Sequence, residues 1–283
     1  SLGQELLTGN CLFTPHSAHN VHNWPAHNAT SPACMEWGEI PQLIQAAHYS
    51  KPPYDYTSME TFYKTTSQFI GGCLWHFFDT QRGYHPDPFY GGIVDAFRQP
   101  KYAYEMFKSQ ENPRSTVNLN NEKTPYTLFI ANILSPFSPA DVTIYTNCDS
   151  VKLIAFGADT ITVRPDSSIH LPHPPLVVKN LFSFMKVKDL YKPKSVTSKP
   201  GWDAIIAIGY AGGKEVIKTE QHPSKRASKI ALKADLEGIQ PLANGSFIIP
   251  FFGEMQDENG VIKRFNNGII RFKVTGEGIL IGQ

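Results

Sequence analysis

The sequence has no apolar run approaching the roughly 18 residues that a membrane-spanning helix needs, so it predicts no membrane span. It has no excess of either charge: 26 Lys and Arg against 25 Asp and Glu leave a net charge of +1. That balance gives no electrostatic reason to expect DNA, RNA or an acidic membrane as partner. Cysteine is scarce, four in 283 residues, with no CxxC pair and no zinc-ligand spacing. Cys73 lies in an apolar run and reads as a small buried hydrophobe. Cys11 and Cys34 are the pair weighed for a disulfide, against both staying free. There is no glycine-rich phosphate loop, because Ala211-Gly212-Gly213-Lys214 falls between two strand-like runs and reads as a hairpin turn. No Gly-x-Ser-x-Gly elbow is present. No signal peptide is seen at the start, as is also expected of a mature chain.

What remains is an ordinary globular composition, 41% hydrophobic and 18% charged, in a chain long enough for two or three domains. Aromatics make up 12%. Much of that content sits in the first 110 residues with His and Pro, a mixture that suits both sugar stacking and plain core packing.

The most informative stretch runs from Gly71 to Tyr104. The apolar run Gly71-Gly72-Cys73-Leu74 ends in Trp75-His76. A loop rich in His, Asp, Arg and aromatics follows (Asp79, Arg82, His85), and then a Pro-started helix from Pro100. A strand that ends in Trp, a polar rim and a helix is the pattern of a β/α unit in a sugar-handling barrel. Upstream, Pro41 and apolar residues at helical spacing predict a helix over Ile40–His48. Ser58 is a plausible N-cap for a second helix to Thr66. Phe69–Phe77 reads as a buried strand. Pro100–Ser109 reads as a helix with Tyr102, Met106 and Phe107 inward.

After Gln110 the texture becomes all-β. Thr127–Asn132, Asp141–Thr146, Ser150–Phe156 and Ala204–Tyr210 alternate apolar and polar residues, and Glu215–Lys218 follows the hairpin turn. Short strands with such turns predict an immunoglobulin-like sandwich. A second module begins near Ala227, with strands Lys229–Lys233, Phe247–Phe252 and Gly268–Val274 and a turn at Glu258-Asn259-Gly260. Its remaining length is short for a sandwich of roughly 100 residues.

These residues resemble glycoside hydrolase family 2, the β-galactosidase family, and specifically its large bacterial members. Gly71-Gly72-Cys73-Leu74-Trp75-His76 is similar to the eighth barrel strand. Phe89-Tyr90-Gly91-Gly92-Ile93-Val94-Asp95 through Arg98-Gln99-Pro100-Lys101 resembles the closing loop and helix. Asp141–Val151 resembles the strand pair that opens the next sandwich. The resemblance implies an α/β plus all-β chain, a partial (β/α)8 barrel segment followed by immunoglobulin-like β-sandwiches. The expected divisions are barrel segment 1–110, sandwich 111–225 and an incomplete second immunoglobulin-like module 226–283. The chain is thus expected to be a fragment cut at both ends.

By the same resemblance, the complete enzyme would act by retaining double displacement, which uses two carboxylates about 5 Å apart. The family's acid/base strand is not in this chain. The nucleophile candidates are Glu36 and Glu39 in Met35-Glu36-Trp37-Gly38-Glu39, where Glu36-Trp37-Gly38 resembles the family's Glu-aromatic-Gly. Glu39 precedes a helix and reads equally as a helix-terminus carboxylate. In the region Thr14–Trp24, near where the family would place its Glu-Tyr-Gly segment, this sequence holds His and small residues.

Trp75 is read as a sugar platform or a core Trp. His76, Asp79, Arg82 and His85 are read as hydroxyl ligands, or Asp79 and Arg82 as a pair that holds the loop. His16, His19, His22 and His27 suggest a metal site, but Pro15 and Pro25 bracket the segment and no Asp, Glu or Cys lies at ligand spacing within it, so loop histidines are preferred. No metal and no cofactor are expected.

The reading is a fragment of a retaining glycoside hydrolase acting on β-linked sugars. The alternative is a non-catalytic carbohydrate-binding or structural module. The expected partner is carbohydrate, and the edge of Phe69–Phe77 is expected to be covered by rearrangement of residues 1–110 onto the first sandwich, by a second copy or by a second chain. The expected location is periplasmic or extracellular.

Overall fold

The computed structural model describes residues 38–50, 59–64, 77–79, 92–113, 124–157, 159–191, 202–236, 239–263 and 268–282. The chain divides into two compact units, Ser1–Pro223 and Ser224–Gln283.

In the first unit, helix α1 spans Glu39–Ser50. Its Pro41 sits in the first turn, where a backbone N–H would have no helical partner. Gln42, Ala46 and Tyr49 are buried, at the three-to-four residue spacing of one helix face. Helix α2 covers Met59–Lys64 and α3 covers Tyr102–Lys108, burying Tyr102, Ala103 and Met106. Helix α3 starts two residues after Pro100 because Lys101 is extended (φ −92°, ψ 175°). Pro100 itself bridges to Val94. Of the expected strand Phe69–Phe77, only Phe77 lies within the described residues. Phe78 next to it makes a parallel bridge to Val94.

Strands β1 (Leu128–Ala131), β2 (Val142–Thr146), β3 (Ser150–Ala155), β4 (Asp159–Val163), β5 (Leu176–Val178), β6 (Ile205–Ala211) and β7 (Lys214–Gln221) follow. They form two antiparallel sheets, ordered β1-β2-β5 and β4-β3-β6-β7. Leu128, Ile130, Val142, Ile144, Leu176 and Val178 of the first sheet meet Val151, Leu153, Ala155, Ile205 and Ala207 of the second in one core. The β6–β7 turn is as expected. Gly212 and Gly213 have φ of +56° and +76°, the pair of positive values that a two-residue I′ hairpin requires. Strands β4 and β5 were not anticipated. The second has only three residues, and Pro174-Pro175 precedes it.

The alternation in β1 and β2 suggested one buried face, but both faces are covered. The register sets Phe129 opposite Tyr145 and Ala131 opposite Thr143 on the outer face. There Ala131 and Tyr145 join Ala46, Tyr49, Ile93, Val94, Tyr102, Ala103 and Met106 in a second core. Tyr102 and Phe129 stack edge to face at 5.6 Å. Residues on both sides of Gln110 therefore pack as one body. The helices that a barrel strand would leave half-covered lie on the first sheet.

The second unit pairs β8 (Lys229–Ala234) with β9 (Phe251–Gln256). The expected strand Phe247–Phe252 starts only at Phe251, because Pro250 has no N–H for a ladder. Gly268–Val274 was expected as a strand, and the structure assigns it none. The turn at Glu258-Asn259-Gly260 forms around Asp257, whose carboxylate accepts the amides of Lys225, Asn259 and Val261.

Ile144 is fully buried between the two sheets. Ile144→Ala should therefore lower unfolding stability by about 2–5 kcal/mol, the range for a large-to-small change in a packed core. Chemical denaturation of the purified chain measures it.

Candidate functional site

Of the residues singled out by sequence, Glu36, Trp75, His76, Arg82 and His85 lie outside the described residues, as do His16, His19, His22, His27, Cys11, Cys34 and Cys73. Cys148 is buried and free. Among the described residues no group of three or more His, Cys, Asp or Glu is placed to hold a metal. No described helix is long and apolar enough to cross a membrane. Glu39 and Asp79 are the two candidates whose surroundings can be read.

Glu39 opens α1 and is 8% exposed. Its Oε1 accepts the backbone N–H of Ile133 at 2.8 Å and its Oε2 accepts the Ser138 hydroxyl at 2.7 Å. Burial raises its pKa, while Ser138, the Ile133 amide and Tyr102 pull it back. Both oxygens are committed to the β1–β2 loop, so this carboxylate ties the start of α1 to the sandwich.

Asp79 ends the segment 77–79. The reading that pairs it with Arg82 falls on a residue outside the described ones; among the described residues Asp79 meets Lys101. Lys101 Nζ lies 2.6 Å from Asp79 Oδ1, with the two side chains 2% and 3% exposed. The same oxygen accepts the Gly92 N–H at 3.0 Å. Burial pushes the Asp79 carboxyl up to about 6, against the pull of Lys101 and the Gly92 amide, and Asp95 pushes the same way. Burial likewise lowers the Lys101 ammonium, against Asp79 and Asp95. Both directions say that desolvation of this pair outweighs its attraction, the usual balance for a buried ion pair.

The pair joins three stretches of chain. Val94 N–H donates to the Phe77 carbonyl at 2.9 Å, Asp79 N–H to the Val94 carbonyl at 3.0 Å, and Lys101 N–H to the Ile93 carbonyl at 3.0 Å. From α1, Gln45 Nε2 donates to the Gly92 carbonyl, and Gln42 Oε1 accepts the Tyr102 amide. A side chain at Gly92 would bring its Cβ to 2.3 Å from the Phe78 carbonyl carbon and 2.4 Å from Asp79 N. Glycine is required there for close approach of two backbones. Around Asp95, the carboxylate accepts the amides of Phe97 and Gln99. That closes the return from Val94 to Pro100.

Sequence reasoning missed Lys101, Gly92, Gln42 and Gln45. Lys and Gln are ordinarily surface residues, and no periodicity marks a buried one. The one available signal was the recurrence of Gly92 and Pro100-Lys101 inside the family-like motif. At the far end of α3, Gln110 exchanges two hydrogen bonds with the backbone of His173. Glu60 of α2 accepts the His170 amide and pairs with Lys64 at 2.9 Å.

No protein-family model matches the chain. It is similar to a β-galactosidase of Thermoanaerobacter pseudethanolicus, 31% identical over 201 residues, which covers 69% of this chain and 24% of that protein. A β-galactosidase of Thermoanaerobacterium thermosulfurigenes is 24% identical over 201 residues, covering 68% of this chain and 26% of that protein. The chain thus spans about a quarter of the length of these curated relatives. Among solved structures, a β-glycosidase from Bacteroides vulgatus aligns with a TM-score of 0.51 and 19% identity, over 72% of this chain and 23% of that one. That likeness is one of fold.

Two outcomes follow at Glu39. Glu39→Ala strands the half-buried Ile133 amide and should cost about 1–3 kcal/mol, whereas Glu39→Gln keeps an acceptor and should cost much less. Because burial raises its folded pKa, stability from Glu39 is full below the ordinary value of 4.5 and is lost as pH rises through the raised value. Glu39→Gln should flatten that part of the profile. Denaturation midpoints of the three proteins from acid to neutral pH check both.

Proposed function

The chain belongs to glycoside hydrolase family 2, the β-galactosidase family, and we propose that it supplies the closing part of a β-glycosidase barrel and the immunoglobulin-like sandwich behind it. The observation that carries this reading is the 31% identity to a β-galactosidase over 201 residues. The geometry supports it. Segment 77–79 runs parallel to Val94 and is followed by α3. Asp79 is held by interior polar contacts with Lys101 and the Gly92 amide. C-terminal strand ends carry the chemistry in α/β barrels.

In this reading the substrate is a β-linked sugar, galactoside-like. Trp75 offers a flat apolar face to the C–H side of the ring. His76, Arg82 and His85 serve its hydroxyls. Glu36 is the carboxylate proposed as nucleophile, since both oxygens of Glu39 already serve Ile133 and Ser138. The partner carboxylate of a retaining mechanism comes from outside this chain. The chain's own residues bind and orient the sugar and hold the strand end.

The engagement of Glu39 also favours a second reading, a carbohydrate-binding or structural module without turnover. Assay of the chain on an aryl β-galactoside separates the two. Turnover that survives loss of both Glu36 and Glu39 would remove the mechanistic account.

Trp75→Ala should weaken galactoside binding by about 1–3 kcal/mol, the scale of one aromatic contact surface, and leave the sandwich folded. Calorimetric titration beside a thermal melt of the same variant decides it. A lowered melting point with unchanged affinity would make Trp75 a core residue.

A further inference from the structure

We propose that Asn244 is a self-modifying site: in the folded chain it loses ammonia through a cyclic imide and becomes aspartate and isoaspartate, with water as the co-reactant.

The sequence holds three Asn-Gly pairs, at 244–245, 259–260 and 267–268. Asparagine is a thermolabile residue, and a following glycine leaves the attacking amide unshielded. Asn267 lies outside the described residues. The other two pairs belong to the second unit, and their surroundings differ at both reacting groups.

The electrophile is Asn244 Cγ. Its Oδ1 accepts the amides of Ser246 and Phe247, each at 3.0 Å, and the Ser246 hydroxyl at 3.2 Å. Two backbone N–H donors settle which side-chain atom is the oxygen. The bond from Ser246 N–H to Oδ1 closes a ring that contains both Cγ and the Gly245 nitrogen, and so keeps the reacting atoms near each other. Negative charge develops on Oδ1 as that nitrogen adds to Cγ. The three donors strengthen as it does, which is the arrangement of an oxyanion hole. The nucleophile is unobstructed. Among the described residues nothing accepts the Gly245 N–H, and a Cβ at Gly245 would meet nothing within 4 Å. Asn244, Gly245 and Ser246 are all exposed, so water reaches the leaving group. Asn259 is placed differently. Its Nδ2 is buried, away from the water that must protonate it. The Gly260 N–H, the nucleophile there, donates to the Asp257 carbonyl at 3.0 Å.

The Gly245 N–H gives its proton to solvent base, the bond from N to Cγ forms, and Nδ2 takes a proton from water and leaves as ammonia. Water then opens the imide. Addition at Cγ gives aspartate, and addition at the Asn244 main-chain carbonyl routes the backbone through Cγ as isoaspartate. Nothing is oxidised or reduced. Either product removes one unit from the net charge of +1, and isoaspartate puts an extra carbon into the turn.

The test is incubation of the 283-residue chain in mildly alkaline buffer, native and unfolded in urea, with peptide mapping by mass spectrometry at intervals. Asn244 should convert about tenfold faster in the native chain than in the unfolded one, well short of what a single donor supplies where water is excluded. Asn259 should convert more slowly in the native chain than in the unfolded one. Ser246→Ala should remove most of the native gain at Asn244, and Asn244→Gln should abolish the product there. A native Asn244 rate no higher than the unfolded rate, or lower than the native Asn259 rate, overturns the proposal, as does an unchanged rate in Ser246→Ala. The native and unfolded comparison uses the unaltered chain, so it decides the matter even where a variant does not fold.

Discussion

The β1–β2 ribbon has two apolar faces, and the first unit is organised by the need to cover both. A sheet of three short strands cannot hold itself together, and an uncovered apolar face in water is unfavourable by an amount that scales with its area. The inner face, with Leu128, Ile130, Val142 and Ile144, is closed by the four-stranded sheet. The outer face, with Phe129, Ala131 and Tyr145, is closed by α1, α3 and the Ile93-Val94 return. Residues Phe77–Asp79 are attached to that second layer through Val94. The sandwich is therefore the floor on which Phe77–Asp79 stand.

Apolar contact alone does not fix how two layers sit, because it is nearly indifferent to small slides. The polar residues between the layers remove that freedom. Glu39 holds the β1–β2 loop, Gln42 and Gln45 hold the start of α3 and Gly92, and Gln110 clasps His173. Each is a directional bond at low exposure, where an unmet partner is costly. Together they place α1, α3 and the strand end in one register against the sheet. Among the described residues the Asp79–Lys101 pair is the most deeply buried ion pair.

This arrangement bears on how a family 2 chain divides its labour. Glu39, a nucleophile candidate, and Asp79, a candidate hydroxyl ligand, both have partners inside the fold. A carboxylate with both oxygens bonded inside the fold holds an element in place, whereas a catalytic one must face the reacting atoms. Reading titratable residues for chemistry thus needs the identity of their partners, and here both partners are distant in sequence.

The sequence by itself determined the local elements and the family. Pro41 and the apolar spacing over Ile40–His48 mark α1, Pro100 marks the approach to α3, and Gly212-Gly213 marks the hairpin. All three rest on backbone sterics and short-range period, which are present in any window of chain. The Gly71–Lys101 pattern carried the resemblance to the β-galactosidase family. What only the tertiary structure decided was burial and pairing. A lysine is a surface residue by every local rule, and Lys101 is interior because Asp79, twenty-two positions away, meets it there. The β1 and β2 strands alternate as half-exposed strands do, and they became two-faced because α1 and α3 came to rest on them. The strand expected at Phe247 waited until Phe251 because Pro250 cannot donate, a local rule that the hydrophobic pattern had masked. Pairing across long separations depends on which surfaces meet in three dimensions, and no short stretch of sequence holds that information.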